Sequence, residues 1–226
     1  MPSILFVFTS ADKTLTGAQT GYYLPEAAHP YYVLAPHFKI DFSSPKGANI
    51  PVDEKSVKSF AEDKDSVQFL NDETVKTKFA NAKRLSEVNP DDYDAIFYPG
   101  GHGPAIDLPF DEENAKLGAA FWRAGKITAA VCHGPAALAK VTGADGKSIF
   151  NGRKATGFSN TEEELIGAVK DVPFLLEDKI KELGGQYEKA PEPWAPHVVV
   201  DGNLYTGQNP KSALAIGEAI LAALKK

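Results

Sequence analysis

The stretch Ile127-Thr-Ala-Ala-Val-Cys-His-Gly-Pro-Ala-Ala-Leu138 reads as a buried strand, Ile127 to Val131, that turns at once into a helix, Pro135 to Val141. An apolar β-rich run stops where Gly134 and Pro135 begin, and those two suit a sharp turn and a first helical turn. Cys132 stands on the elbow. The unpaired N–H groups that open a helix stabilise a thiolate and lower a thiol from its usual value near ~8.5, so Cys132 is expected to be a nucleophile. Free cysteine is also among the most buried residue types and often only fills space. Position favours chemistry here, because the carboxyl ends of parallel strands are where open α/β sheets place ligands. His133 would assist the thiol only if the bend brings two adjacent side chains to one side; otherwise it is a capping residue.

Other short apolar runs recur at Ile4 to Phe8, Tyr32 to Leu34, Ala95 to Tyr98 and Val198 to Val200. Helical patterns fall between them, roughly at Gly21 to Tyr31, Val67 to Ala80, Asn114 to Ala124, Thr161 to Val169, Leu175 to Leu183 and Ser212 to Leu224. Strands alternating with helices imply a largely parallel sheet covered on both faces. The polar segment Phe42 to Asp65 is expected as a surface excursion. The 226 residues, 43% hydrophobic, read as one domain over 1–226.

A formal net charge of −6 with scattered Lys and Arg leaves no footprint for nucleic acid or an anionic membrane. No apolar run approaches the ~20 residues of a membrane span. A single cysteine and the lack of an N-x-[ST] sequon point to an intracellular, cytoplasmic protein.

A second strand-end loop, Asp94-Ala-Ile-Phe-Tyr-Pro-Gly-Gly-His-Gly-Pro, can aim the amides of Gly100 and Gly101 at a developing oxyanion, with His102 lining the pocket or merely serving the turn. Glu26 lies among aromatics in a helical stretch; burial would hold its carboxyl partly protonated and able to serve a thiolate, whereas a surface position would make it inert. One of Glu162, Glu163 and Glu164 could orient His133, yet Ser159 to Glu162 and Asn160 to Glu163 both match a capping box. Glu26, His29, His102, Cys132 and His133 are all of metal-ligating type, but without CxxC or HExxH spacing no metal is expected.

Together these residues resemble the DJ-1/PfpI superfamily, and within it the fungal-type Hsp31-like proteins described as glutathione-independent glyoxalases. The likeness runs through Gly21 to His29, Ser44-Pro-Lys-Gly, Asp92-Tyr-Asp to Gly103, Ala129-Ala-Val-Cys-His-Gly-Pro-Ala, Thr156-Gly-Phe, Pro193-Trp and Thr206-Gly-Gln-Asn-Pro. It implies a flavodoxin-like three-layer sandwich and a homodimer, in the cytoplasm and also the nucleus. It implies Cys132 as nucleophile with His133 beside it, Glu26 as the acid/base at the sulfur, and Glu163 as third triad member. The activity implied is conversion of a small dicarbonyl, methylglyoxal, to D-lactate with no cofactor, glutathione or metal. Relatives described as deglycases and as holdase chaperones supply the rival readings.

Overall fold

The computed structural model describes residues 2–225. In chain order the strands are β1 (Ser3–Val7), β2 (Lys39–Ser44), β3 (Lys83–Arg84), β4 (Ala95–Tyr98), β5 (Ile127–Val131), β6 (Lys154–Ala155), β7 (Gln186–Tyr187), β8 (Val198–Asp201) and β9 (Leu204–Gly207). The helices are α1 (Leu24–Leu34), α2 (Glu54–Ser59), α3 (Lys64–Asn71), α4 (Glu73–Ala80), α5 (Gly103–Ile106), α6 (Glu112–Arg123), α7 (Asn160–Leu165), α8 (Leu176–Glu182) and α9 (Ala213–Leu224). A seven-stranded sheet has the order β3-β2-β1-β4-β5-β9-β8, parallel except where β8 meets β9, while β6 and β7 pair separately.

Helices cover both faces of the sheet, with α1 packed on α9, α9 on β5 and β9, and α6 on β4 and β5. Double coverage explains why the central strands are apolar almost without alternation: Ile4 to Val7, Ala95 to Tyr98 and Ala129 to Val131 are all buried. Strand order reverses between β1 and β4, because the connection from β1 runs outward to β2 while the later strands build the other way. A crevice opens at such a switch point, beyond the carboxyl ends of the strands. The residues that follow β4 and β5, Gly100 and Cys132, stand at this edge.

The expected elements differ from the observed ones in specific places. Tyr32 to Leu34 is not a strand but the last turn of α1. The helix continues through Pro30, where close packing fixes it: a side chain at Gly217 of α9 would come within 3.0 Å of the Pro30 Cα. The second strand is instead β2, whose Lys39 and Asp41 hide the alternation that buries Ile40 and Phe42. The excursion expected from Phe42 to Asp65 therefore begins inside a strand and includes α2. Strand β9 was not anticipated, and the helix expected over Pro135 to Val141 is a five-residue 3₁₀ turn, Gly134–Leu138.

The helix expected from Val67 to Ala80 is divided at Asp72 into α3 and α4. Asp72 accepts hydrogen bonds from the amides of Thr74 at 2.8 Å and Val75 at 3.4 Å, and from the Tyr32 hydroxyl at 3.1 Å. An N-cap carboxylate typically contributes about 1 kcal/mol. Asp72→Ala is therefore expected to lower the unfolding free energy by about 1 kcal/mol, read as a lower urea midpoint with an unchanged denaturant slope.

Candidate active site

Cys132 follows β5 directly, and its φ of 60° puts a non-glycine residue in the left-handed region. Such a conformation persists only where neighbours over-determine it. Here the Cys132 amide donates to the Gly207 carbonyl at 2.9 Å and the Phe158 amide donates to the Cys132 carbonyl at 2.9 Å. Gly134 completes the elbow by passing against β4; a Cβ there would lie 2.3 Å from the Tyr98 carbonyl oxygen. The elbow thus turns the thiol into the crevice while keeping it 4% exposed.

The thiol departs from the expectation of a lowered pKa. A single 3₁₀ turn follows it instead of a helix with a developed dipole, and burial, with the neighbouring Glu26 carboxyl, pushes the Cys132 thiol up; the Gly101 amide opposes this. Glu26 is fully buried in the first turn of α1, which removes the surface reading. Burial holds its carboxyl well above the usual range, outweighing the stabilisation that Cys132 and the Gly100 amide give to the ionised form. Neither carboxyl oxygen finds a hydrogen-bond partner of regular geometry. Physically, the pair settles as a neutral carboxyl beside the sulfur: once Glu26 is protonated, its repulsion of a thiolate is gone and it becomes a donor to one.

His133 comes to the same side as Cys132 through the bend, with Nδ1 at 3.5 Å from Sγ. Its Nε2 is hydrogen-bonded to Oε2 of Glu163, and Nε2 of His102 lies 2.7 Å from Oε1 of the same carboxylate. Burial would raise the Glu163 pKa, but the two imidazoles outweigh it and bring the group to about 2. An ionised carboxylate only accepts, so both imidazoles donate through Nε2–H. Burial also lowers the His133 pKa, keeping the ring neutral. Its remaining nitrogen, Nδ1, therefore offers a lone pair to the thiol.

The three consecutive glutamates separate cleanly. Glu163 meets His133, and Glu164 is exposed. Glu162 closes a capping box with Ser159 and then accepts from the amide of Trp194 at 2.9 Å, Asn209 Nδ2 at 2.9 Å and Gln208 Nε2 at 3.1 Å. Only the Ser159 to Glu162 box forms, not Asn160 to Glu163. Glu162→Ala would orphan several buried donors at once, and is expected to cost roughly 2–4 kcal/mol in urea unfolding and to shift Trp194 fluorescence.

Cys132 and His133 border a cavity of about 320 Å³ whose wall also includes Tyr23, Gly101, His102, Phe158, Trp194, Asp53 and Asp171. Gly100 and Glu26 do not reach it. The Gly100 amide faces the Glu26 carboxyl, and a Cβ at that position would lie 2.3 Å from Glu26 Oε2. Of the two expected oxyanion donors, Gly101 is the one at the cavity. Tyr23, Phe158 and Trp194 join the site beyond the residues that sequence position identifies, although Thr156-Gly-Phe and Pro193-Trp carry two of them within recognisable motifs. A second cavity of the same volume, around Lys39, Asp41, Phe42 and Lys78, is lined by no thiol and no histidine. Among the five residues weighed as metal ligands, His29 is paired elsewhere with Asp63 at 2.9 Å. The donor atoms that do converge are those of His102, His133 and Glu163, within 4.8 Å of one another. No helix among the described residues is long and apolar enough to cross a membrane.

The family model described as DJ-1/PfpI family matches residues 26–223. The chain is 34% identical to a Saccharomyces cerevisiae protein named glutathione-independent glyoxalase HSP31, over 98% of each. Among solved structures it superposes on the Francisella tularensis Rapid Encystment Protein 24 KDa with a TM-score of 0.93 at 37% identity, covering 99% of both chains. It superposes on glyoxalase III from Candida albicans with a TM-score of 0.87 at 29% identity, covering 98% of this chain and 97% of that one.

Proposed function

The chain belongs to the DJ-1/PfpI family, and from that premise we propose that it is a glutathione-independent glyoxalase converting methylglyoxal to D-lactate at Cys132. The observation that carries this reading is the strained elbow at Cys132, which sets a thiol on the wall of a small cavity between an unprotonated imidazole nitrogen and a buried carboxyl. His133 Nδ1 takes the thiol proton as sulfur adds to the aldehyde carbon, and the new alkoxide, held by the Gly101 amide, receives that proton back. The hemithioacetal C–H proton next passes to His133 Nδ1 and returns to the former ketone carbon through an enediol, while the hydroxyl proton of the former aldehyde carbon moves to the former ketone oxygen, leaving a lactoyl thioester. Water hydrolyses the thioester, releasing lactate and the thiol. Glu26, held neutral and away from the cavity, donates to the sulfur and stabilises it as a thiolate in each half of the cycle.

The test is a glutathione-free methylglyoxal assay with chiral separation of the lactate. Steady formation of the D isomer, faster than release from purified protein adducts, is the expected result. Faster release from the adducts would make the chain a deglycase, and no lactate from either source would remove the enzymatic reading. The same reading takes the chain as a homodimer of the cytoplasm and nucleus; that part rests on the family resemblance, and sedimentation velocity and imaging of a tagged chain check it.

A holdase reading draws on a separate observation. Leu15, Leu165, Ile166 and Val169 are all exposed, on two segments joined by the bond from the Leu15 amide to the Asp171 carbonyl. Suppression of client aggregation that survives Cys132→Ala would assign this surface a role of its own.

A further inference from the structure

We infer that His102, His133 and Glu163 form a binding site for one divalent transition-metal ion with the ligand preferences of zinc, and that filling it silences the thiol. Orienting His133 needs only one oxygen of Glu163. The second oxygen is taken by His102, at 2.7 Å, which turns an oriented imidazole into a set of three donors. They come from three places in the fold: the loop after β4, the elbow after β5, and α7. Their donor atoms all lie within 4.8 Å of one another.

Two imidazole nitrogens and a carboxylate oxygen, with a fourth position left to water, is a common zinc environment, with metal–ligand bonds of about 2.0–2.1 Å. A tetrahedron of such bonds separates its ligands by about 3.3 Å. To admit the ion, the existing hydrogen bonds to Glu163 lengthen toward that spacing while the widest pair of donor atoms, now within 4.8 Å, closes toward it. His102, 19% exposed and on the cavity wall, provides the way in and leaves the fourth position facing the cavity.

Cys132 is not part of the set. Its sulfur meets the Nδ1 edge of His133, whereas Glu163 meets the Nε2 edge. The consequence for the thiol follows from the ring's single proton. Metal at Nε2 displaces the proton found there, and a neutral ring must then carry it on Nδ1; no proton need leave the protein. With Nδ1 protonated, His133 donates toward the sulfur and can no longer accept from the thiol or from the substrate. The silencing rests on the glyoxalase reading, but the binding does not.

The experiment uses the full chain with zinc chloride in equilibrium dialysis, and with cobalt(II) as a spectroscopic probe. Wild type and Cys132→Ala are expected to bind one ion per chain with similar affinity. His102→Asn and Glu163→Gln are each expected to bind about 100-fold more weakly or worse. Bound cobalt should show ligand-field bands without a thiolate charge-transfer band. Added zinc should stop wild-type turnover, and a chelator should restore it. His102 is partly exposed, so its variant gives a folded comparison, checked by circular dichroism, should Glu163→Gln fail to fold. Loss of binding in Cys132→Ala, a thiolate charge-transfer band, or unaltered binding by His102→Asn would overturn the site. A wild type that binds zinc yet turns over no methylglyoxal when kept zinc-free would overturn the glyoxalase reading and leave the site standing.

Discussion

Changing Cys132 to Ser is expected to lower kcat/KM for methylglyoxal by about 10⁴-fold or more, on the scale seen when other enzymes lose a nucleophile. The serine hydroxyl would occupy nearly the same space, and His133 Nδ1 would still be its hydrogen-bond acceptor, so unfolding should shift by no more than about 1 kcal/mol. What changes is the ease of ionisation. Sulfur can carry a negative charge beside a neutral Glu26 and one imidazole, even though burial raises its pKa. An alkoxide in the same place is far harder to form, because a serine hydroxyl is a much weaker acid than a thiol. Progress curves in glutathione-free buffer, with denaturation measured on the same samples, separate lost chemistry from lost fold. A serine variant retaining a tenth of wild-type turnover would move the nucleophile away from position 132.

How much of this was legible depended on how local each signal was. Strands β1, β4 and β5 announce themselves because double coverage makes them apolar along their length, and the Gly134-Pro135 pair marks the elbow. Strand β2 was missed because Lys39 and Asp41 interrupt its pattern, while Tyr32 to Leu34 copied the composition of a strand inside a helix that packing carries through Pro30. The site shows the same division. Cys132 and Glu26 could be proposed from position and neighbours, but the sign of the thiol's shift could not. It depends on burial and on a carboxyl that is distant in sequence and adjacent in space. Nor could spacing choose among Glu162, Glu163 and Glu164. Two buried carboxylates one residue apart on α7 face different partners, one the Trp194 and Asn209 loops and the other the histidines. The pairing of His102 with the far oxygen of Glu163 left no mark in sequence at all, since it joins loops that only the sheet brings together.

Glu163→Gln is expected to reduce kcat by roughly 10³ to 10⁴-fold with little change in KM, by analogy with the loss when the carboxylate of a catalytic triad becomes an amide. The amide is nearly isosteric but offers a single acceptor oxygen to two imidazoles that both now donate to the carboxylate. One histidine must exchange tautomer. If it is His133, its proton moves to Nδ1 and the base facing Cys132 is gone; if it is His102, the geometry at His133 survives. In either case the imidazolium formed when His133 accepts a proton no longer has an anion behind it, and that loss is felt in the transition state more than in binding. Glu163→Asp keeps the charge and should recover part of the rate. If the Gln variant turned over within about tenfold of wild type, far short of the triad effect, Glu163 would be holding the loop rather than the proton relay. The reactive geometry would then reduce to Cys132, His133 and Glu26.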